Sequence, residues 1–356
     1  MGIRAILVET PDRWNSFISD WPDCGLLQTS LWGDFKQLMG WKAIRLAVEN
    51  DGCLVAGALM LVKHLPLGLA SIAYIPRGPL VNWHDRATTK LLLEALHQAA
   101  RENHACFLRI EPPVIHSSQA QSMLQDLGFY PTAQTNQPRC TLTLPLDVDI
   151  DTLYTELPRR VRRDIRICHT KGVKIRQGDE SDLGTFYKLM RTTASRGGFS
   201  SRSLEYYELE YKTFSHGEHA TLLLVDYDGQ TVAAQMPFAF SRYGAAFHGA
   251  SNNTHRHLPI NDLLTWEGIK WAKSRGCRSY DLWGIPDEVG ELISEGRPVP
   301  NDRQDGLWGV YTFKKGFGGN ITYYVGAYDY IYNKSLYTLG NNMIAWLGSN
   351  GLLEKM

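Results

Sequence analysis

The chain has 356 residues, 44% of them hydrophobic and 21% charged, a composition that excludes a disordered or fibrous protein and a length that predicts two domains of roughly 150–180 residues. Lys plus Arg and Asp plus Glu both number 37, for a formal net charge of zero. No whole-protein field therefore draws the chain to nucleic acid or to an anionic membrane, and any anion site must be local.

Taken in chain order, Met1 to Trp14 carries acidic residues and no apolar run, so no secretory signal is expected. Trp41–Val48 and Cys53–Val62 read as two strands joined by Asn50-Asp51-Gly52, a turn sequence that tolerates positive φ. The most apolar stretch, Leu54–Ile75, is broken by Lys63, His64 and Pro66 and falls short of the ~18 residues that a membrane span requires. A strand at Ser71–Tyr74, the break Pro76-Arg77-Gly78-Pro79, a helix near Asp85–Asn103 with Leu92, Leu96, Ala99 and Ala100 on one face, and a strand at Ala105–Ile110 follow. The turn Leu127-Gly128-Phe129 comes next.

Asp149 to Val173 reads as the join between halves. Its helix starts after Leu157-Pro158, stops at Gly172, and bears Arg159, Arg160, Arg162, Arg163 and Arg166. Five arginines in eight residues either meet phosphates, of RNA or of a nucleotide-linked substrate, or form the solvated face of a connecting helix salt-bridged to nearby acids. Beyond it the first half's order returns: Ala220–Tyr227, the Asp228-Gly229 turn, Thr231–Phe240, a strand at Gly244–His248, a helix near Asn261–Ser274, a strand at Ser279–Trp283, and Gly316-Phe317-Gly318. The spacing of about 180 residues points to an internal duplication.

This element order is similar to the N-acetyltransferase (GNAT) superfamily. The expected class is α/β (α+β), two tandem GNAT-like domains with mixed sheets flanked by helices. The first would span 1–150. The second, with the basic linker helix, would span 151–356, its C-terminal segment packing back on the first.

Coenzyme A binding by such a fold needs a glycine-rich turn whose amides cradle a pyrophosphate. Neither half has one: Pro76-Arg77-Gly78-Pro79 has prolines without N–H donors, and the second half reads Arg256-His257-Leu258-Pro259-Ile260-Asn261. No nucleophile elbow, Walker loop or HExxH motif is present. The six cysteines (Cys24, Cys53, Cys106, Cys140, Cys168, Cys277) form no CxxC pair and read as reduced thiols of a cytoplasmic protein. His248, His255 and His257 read as separate side chains rather than a metal site. No cofactor and no metal are expected.

Five blocks in order carry a further resemblance. They are Leu27-Gln28-Thr29-Ser30-Leu31-Trp32-Gly33-Asp34-Phe35-Lys36 with Gly40-Trp41-Lys42; Tyr74-Ile75-Pro76-Arg77-Gly78-Pro79; Arg196-Gly197-Gly198-Phe199 with Arg202 and Tyr206; Tyr280-Asp281-Leu282-Trp283-Gly284-Ile285-Pro286; and Phe313-Lys314-Lys315-Gly316-Phe317-Gly318-Gly319. From Leu27 to Tyr330 the chain resembles the Fem family of aminoacyl-tRNA-dependent peptidoglycan-bridge transferases. With no heptad run between Asp182 and Phe240, it resembles the compact members that lack a coiled-coil arm.

The resemblance implies transfer of an amino acid from aminoacyl-tRNA to the stem-peptide amine of a peptidoglycan precursor, UDP-MurNAc-pentapeptide or its lipid-linked form, by a protein without a transmembrane segment that is peripheral to the membrane at most. An activated ester and an amine need mainly alignment and oxyanion stabilisation. By motif, Lys36 and Arg202 would grip the precursor's diphosphate, with Tyr206 one helical turn beyond Arg202 and Tyr74 and Arg77 as further precursor contacts; without the resemblance Lys36 reads as a surface helix lysine and Arg202 as a helix-start salt bridge. Lys314 would meet the oxyanion or the leaving 3′ end and Phe313 would line the donor channel, or the two are a solvated lysine beside a core aromatic on a strand; Arg159, Arg160, Arg162 and Arg163 would be the candidates for binding tRNA. Glu111, where the family commonly has Asp, would accept the amine's proton, or else position a neighbour or pair with Arg109. Asp281 and Trp283 read as core and strand-edge residues. Two other readings use the same scaffold: a transferase taking its acyl group from another donor, such as an acyl carrier protein, to a polysaccharide or lipid amine, and a non-catalytic module that binds the precursor.

Overall fold

The computed structural model describes residues 2–21, 25–65 and 70–338; Cys24, Pro66 and the segment 339–356 lie outside them. In chain order the elements are β1 (Arg4–Leu7), α1 (Pro11–Ser19), α2 (Ser30–Leu38), β2 (Lys42–Asn50), β3 (Cys53–His64), β4 (Ser71–Ile75), α3 (Arg86–Glu102), β5 (Ala105–Ile110), α4 (Ser118–Asp126) and β6 (Tyr130–Pro131). There follow β7 (Cys140–Pro145), α5 (Ile150–Glu156), α6 (Arg159–Thr170), β8 (Lys174–Gly178), α7 (Leu183–Gly197), α8 (Leu204–Ser215), β9 (Leu222–Tyr227) and β10 (Gln230–Phe240). The remainder comprises β11 (Tyr243–Ser251), α9 (Ile260–Ser274), β12 (Ser279–Ile285), α10 (Asp287–Ser294), α11 (Trp308–Lys315), β13 (Asn320–Tyr323) and β14 (Tyr328–Ile331).

Two compact units result, one of residues 1–139 with 324–356 and one of residues 140–323. The first unit's sheet runs β1-β2-β3-β4-β5-β14-β6, and the second's runs β13-β7-β12-β11-β10-β9-β8. In each, one hairpin rests on an Asp-Gly pair with both residues at positive φ: Asp51 (47°) with Gly52 (87°), and Asp228 (52°) with Gly229 (72°). That is the turn whose twist matches the flanking strands. A third strand then crosses through one helix to a parallel neighbour, β4 to β5 through α3 and β11 to β12 through α9. Helix α3 buries Leu92, Leu93, Leu96 and Ala100 on the first core, and α9 buries Leu263, Leu264, Ile269 and Ala272 on the second.

The repeat has one irregularity. The place beside β5 is taken by β14, from the chain's end, and the place beside β12 by β7, the second unit's first strand. Strand β6 pairs with β14, and β13 with β7. The first sheet thus receives one strand from the far side of the second unit in sequence, while the second unit is one continuous stretch. The division therefore falls at Arg139/Cys140 and Tyr323/Tyr324, one strand earlier than a boundary at 150. Strand β14 is locked by a buried ion pair, in which Arg109 Nε and Nη2 donate to the two Asp329 oxygens at 2.8 and 2.7 Å.

Candidate active site

The second unit's chemistry gathers at a break in β12. Asp281 lies opposite Thr143 and Gly284 opposite Thr141, so β12 holds one residue more than β7 across that interval. Such bulges re-aim backbone and side chains and recur beside active sites. Trp283 takes φ +69°, a left-handed conformation that costs a bulky residue and persists only where surroundings enforce it. Asp281 supplies the enforcement. It is buried; its Oδ1 accepts the Trp283 N–H at 2.7 Å and the Thr141 hydroxyl, and its Oδ2 accepts the Tyr243 hydroxyl at 2.8 Å. The Trp283 ring lies 4.6 Å from that of Phe247.

The reshaped strand presents the Gly284 carbonyl, to which Lys314 Nζ donates at 2.7 Å. Lys314 stands in the last turn of α11. Burial pulls its pKa down to about 8, against the opposing pull of the Asp281 charge. This is an ammonium held in place, poorly solvated, and able to respond to a nearby developing negative charge. Phe313, the preceding residue, stacks edge-on with Phe317 at 5.6 Å and borders a cavity of about 230 Å³ at the start of α9, together with Ser251, Asn253, Arg256, Pro259 and Asp262. Arg196 donates to the Ser251 carbonyl at 3.0 Å, and its pKa is lowered by burial and then by the Arg256 charge. Two cations thus converge near this cavity, a pairing that an isolated reading of Arg196-Gly197-Gly198 does not reveal.

Helix α6 carries the five arginines, and the structure separates them. Arg160 pairs with Asp164 at 2.9 Å and with Asp262 at 3.0 Å, and Arg163 pairs with Asp164 at 2.9 Å. The Asp262 contact is close but poorly aligned for a hydrogen bond, and burial keeps that carboxyl up at about 6. Arg162 Nε is buried without a hydrogen-bond partner among the described residues, while Arg159 is exposed.

Of the residues read as precursor-binding, Arg202 and Tyr206 belong to the second unit. The Arg202 guanidinium lies 5.2 Å from the Tyr206 ring, just before and within the first turn of α8, whose N-cap is Ser203. Lys36 belongs to the first unit, on α2, with its ammonium 4.7 Å from the Trp32 ring and 4.8 Å from that of Phe35. The block leading to it is in large part structural. Gln28 is fully buried, its amide accepting from the Leu59 N–H at 2.8 Å and donating to the Pro76 carbonyl.

Glu111, Tyr74 and Arg77 form a separate buried cluster in the first unit. The Glu111 carboxylate accepts from the Tyr74 hydroxyl, from Asn136 N–H at 2.6 Å and from Gln137 N–H at 3.2 Å. Gln137 Nε2 in turn donates to the Tyr74 oxygen at 3.0 Å. Burial raises the Glu111 pKa against these bonds, and only 3% of the residue is exposed. Arg77, at φ +47°, donates to the Pro138 carbonyl at 2.9 Å and stacks on Tyr324. Arg109 makes its bidentate pair with Asp329, not with Glu111. A carboxylate so enclosed and so fully hydrogen-bonded clamps the loop 136–138 and has no open side for a substrate amine.

His255 and His257 have ring centroids 5.9 Å apart, whereas His248 turns to Glu210. Among the described residues no group of three His, Cys, Asp or Glu is placed to hold a metal ion. Nor is any helix among them long and apolar enough to cross a membrane.

A family model described as the FemAB family matches residues 10–231 and 225–343. Curated relatives include the lipid II:glycine glycyltransferase of Staphylococcus epidermidis, 24% identical, and that of Staphylococcus aureus, 25% identical; each alignment covers 93% of both chains. Among solved structures, one titled as the crystal structure of FemX is 24% identical, with a TM-score of 0.80 over 94% of this chain and 99% of the other. A tandem GNAT protein from the clavulanic acid biosynthesis pathway is 12% identical, with a TM-score of 0.54 over 92% of this chain. The fold is thus a tandem GNAT-like one.

Proposed function

The chain belongs to the FemAB family, and on that premise we propose that it is an aminoacyltransferase that moves an amino acid from aminoacyl-tRNA onto the stem-peptide amine of a peptidoglycan precursor. The observation that carries this reading is the Lys314 ammonium, fixed on the Gly284 carbonyl by the β12 bulge and held near pKa 8 by burial. An ester aminolysis passes through a tetrahedral oxyanion and then a leaving ribose oxygen. A fixed, poorly solvated cation stabilises both without any cofactor.

The donor side is supported by Phe313, by the Arg196–Arg256 pair at the cavity beside it, and by Arg159 and Arg162 on α6, which suit phosphates. Arg160 and Arg163 already neutralise acids of their own unit and contribute less. On the acceptor side Arg202, with Tyr206 packed beneath it, supplies charge suited to a diphosphate, and Lys36, on the first unit, is by motif a further cation suited to phosphate. The names of the relatives favour the lipid-linked precursor over the UDP-linked one. Charged tRNA places the reaction in the cytoplasm.

Purified protein given a full set of charged tRNAs and either lipid-linked or UDP-linked pentapeptide precursor should add the mass of one or more amino-acid residues to the pentapeptide. No addition with either precursor would remove the reading. Salt dependence separates the donor contacts. Arg159→Ala should reduce the slope of log affinity for tRNA against log salt by about one, and Arg163→Ala should leave it nearly unchanged.

A further inference from the structure

The proposed transfer needs a group that takes a proton from the attacking amine, and Glu111 is enclosed. A different acid–base pair stands in the second unit. Glu210, on α8, is fully buried, and its Oε2 lies 2.8 Å from His248 Nε2 on β11. Its other oxygen, Oε1, is buried with no hydrogen-bond partner among the described residues. A carboxylate sunk in an apolar wall and bonded to one histidine is costly, and such groups cluster where chemistry requires them. With Nε2–H donating to the carboxylate, Nδ1 carries the ring's lone pair. Nδ1 has no hydrogen bond among the described residues, and 13% of the side chain remains exposed. The ring's orientation is fixed by edge-on contacts with Tyr207 at 5.2 Å and Phe247 at 4.8 Å.

The pair's place in the unit gives it its meaning. Met236 lies opposite His248, Phe238 opposite Ala245, and Ala245 opposite Asp281. Alternate residues of β10 share a face, so His248 and Asp281 look out from the same side of the sheet. A chain of ring contacts joins the rest. Arg202 stacks on Tyr206, Tyr206 lies 5.9 Å from Tyr207, Tyr207 abuts His248, and Phe247 abuts Trp283. The dyad therefore stands between Arg202, on the acceptor side, and the Trp283–Gly284–Lys314 corner, on the donor side.

We infer that His248 is the general base of the transfer and that Glu210 is the residue that positions it. This rests on the aminoacyl-transfer reading above. The amine nitrogen attacks the ester carbonyl carbon, the C–N bond forms, and the nitrogen's proton passes to His248 Nδ1 while the carbonyl π pair moves to oxygen beside Lys314. Collapse of the oxyanion breaks the ester C–O bond. The departing ribose oxygen takes back the proton from Nδ1, so histidine is regenerated and nothing else is consumed. Lys314 does not fill this role, because its Nζ serves as a donor to Gly284 and its charge is what the oxyanion meets.

The test uses the full-length protein, charged tRNA and the lipid-linked precursor, with native melting curves as the folding control. His248→Gln and His248→Ala should each lower kcat by about 100- to 10,000-fold, and imidazole should restore the Ala variant saturably by at least about tenfold. Glu210→Gln should lower kcat with KM for precursor unchanged, and Glu210→Asp should recover part of the loss. A His248→Gln variant within threefold of wild type, or an Ala variant that imidazole leaves unchanged, overturns the inference while leaving the transferase reading in place. A wild-type protein that transfers from no tRNA overturns both.

Discussion

Lys314, in the role proposed above, is costly for folding and useful for chemistry. Its pKa of about 8, against an ordinary 10.5, means that the unfolded chain holds the proton more tightly than the folded one. The penalty is fully present below pH 8 and is gone above about pH 10.5. Lys314→Met should therefore melt higher than wild type near pH 7, the gain shrinking as pH rises through that window, while transfer falls by about 100- to 1,000-fold. In the wild type the rate should decline as pH rises through about 8, where the ammonium is lost, and the Met variant should lack that alkaline limb. Differential scanning calorimetry and a pH–rate profile check the two halves. Glu111 predicts the opposite split. Glu111→Gln replaces one of two acceptor oxygens by a donor, so that Tyr74 or the Asn136 and Gln137 N–H pair loses its acceptor, and should cost about 1–3 kcal/mol of stability, with kcat per folded molecule within threefold of wild type. A hundredfold loss of kcat with an unchanged melting curve would restore it as a base.

Between elements, what could be read in the sequence depended on how local its cause was. The hairpins were legible because Asp51-Gly52 and Asp228-Gly229 declare a two-residue turn, and α3 and α9 because their apolar residues recur at helical spacing. The placement of β14 beside β5 and of β7 beside β12 was not. Pairing across more than a hundred residues leaves no local trace, and Tyr328-Asp329-Tyr330 looks like a strand with a solvent-facing acid, although Asp329 is buried against Arg109. The β12 bulge was hidden for a related reason, since nothing in Trp283 itself signals positive φ and its cause is Asp281. The motif blocks singled out Lys314, Arg202 and Lys36 as candidates, but no spacing rule linked His248 to Glu210, 38 residues earlier. The buried pair makes a prediction of its own. Asp329→Asn should cost about 3–5 kcal/mol by stranding Arg109, whereas Arg109→Met with Asp329→Leu together should cost far less. Chemical denaturation of the two variants measures the difference.

Over the whole molecule, two GNAT-like units share one chain, and the cationic residues read as precursor-binding are divided between them, Lys36 on one and Arg202 on the other. The second unit holds, by itself, a fixed ammonium at the β12 bulge, a carboxylate–histidine pair on the same sheet face, and a polar cavity at the start of α9. That distribution fits a reaction whose donor is already activated and whose acceptor is a simple amine. Such a reaction calls for no coenzyme A, and neither half of the sequence carries a glycine-rich pyrophosphate turn at the corresponding place. The most direct test of this account is mass spectrometry of a pentapeptide precursor, lipid-linked in one arm and UDP-linked in the other, after incubation with the protein and a full set of charged tRNAs. The account predicts mass increments of whole amino-acid residues on the stem peptide, dependent on the tRNA being charged and abolished by Lys314→Met. An unchanged precursor in both arms, or increments that persist when the tRNA is uncharged, would contradict it.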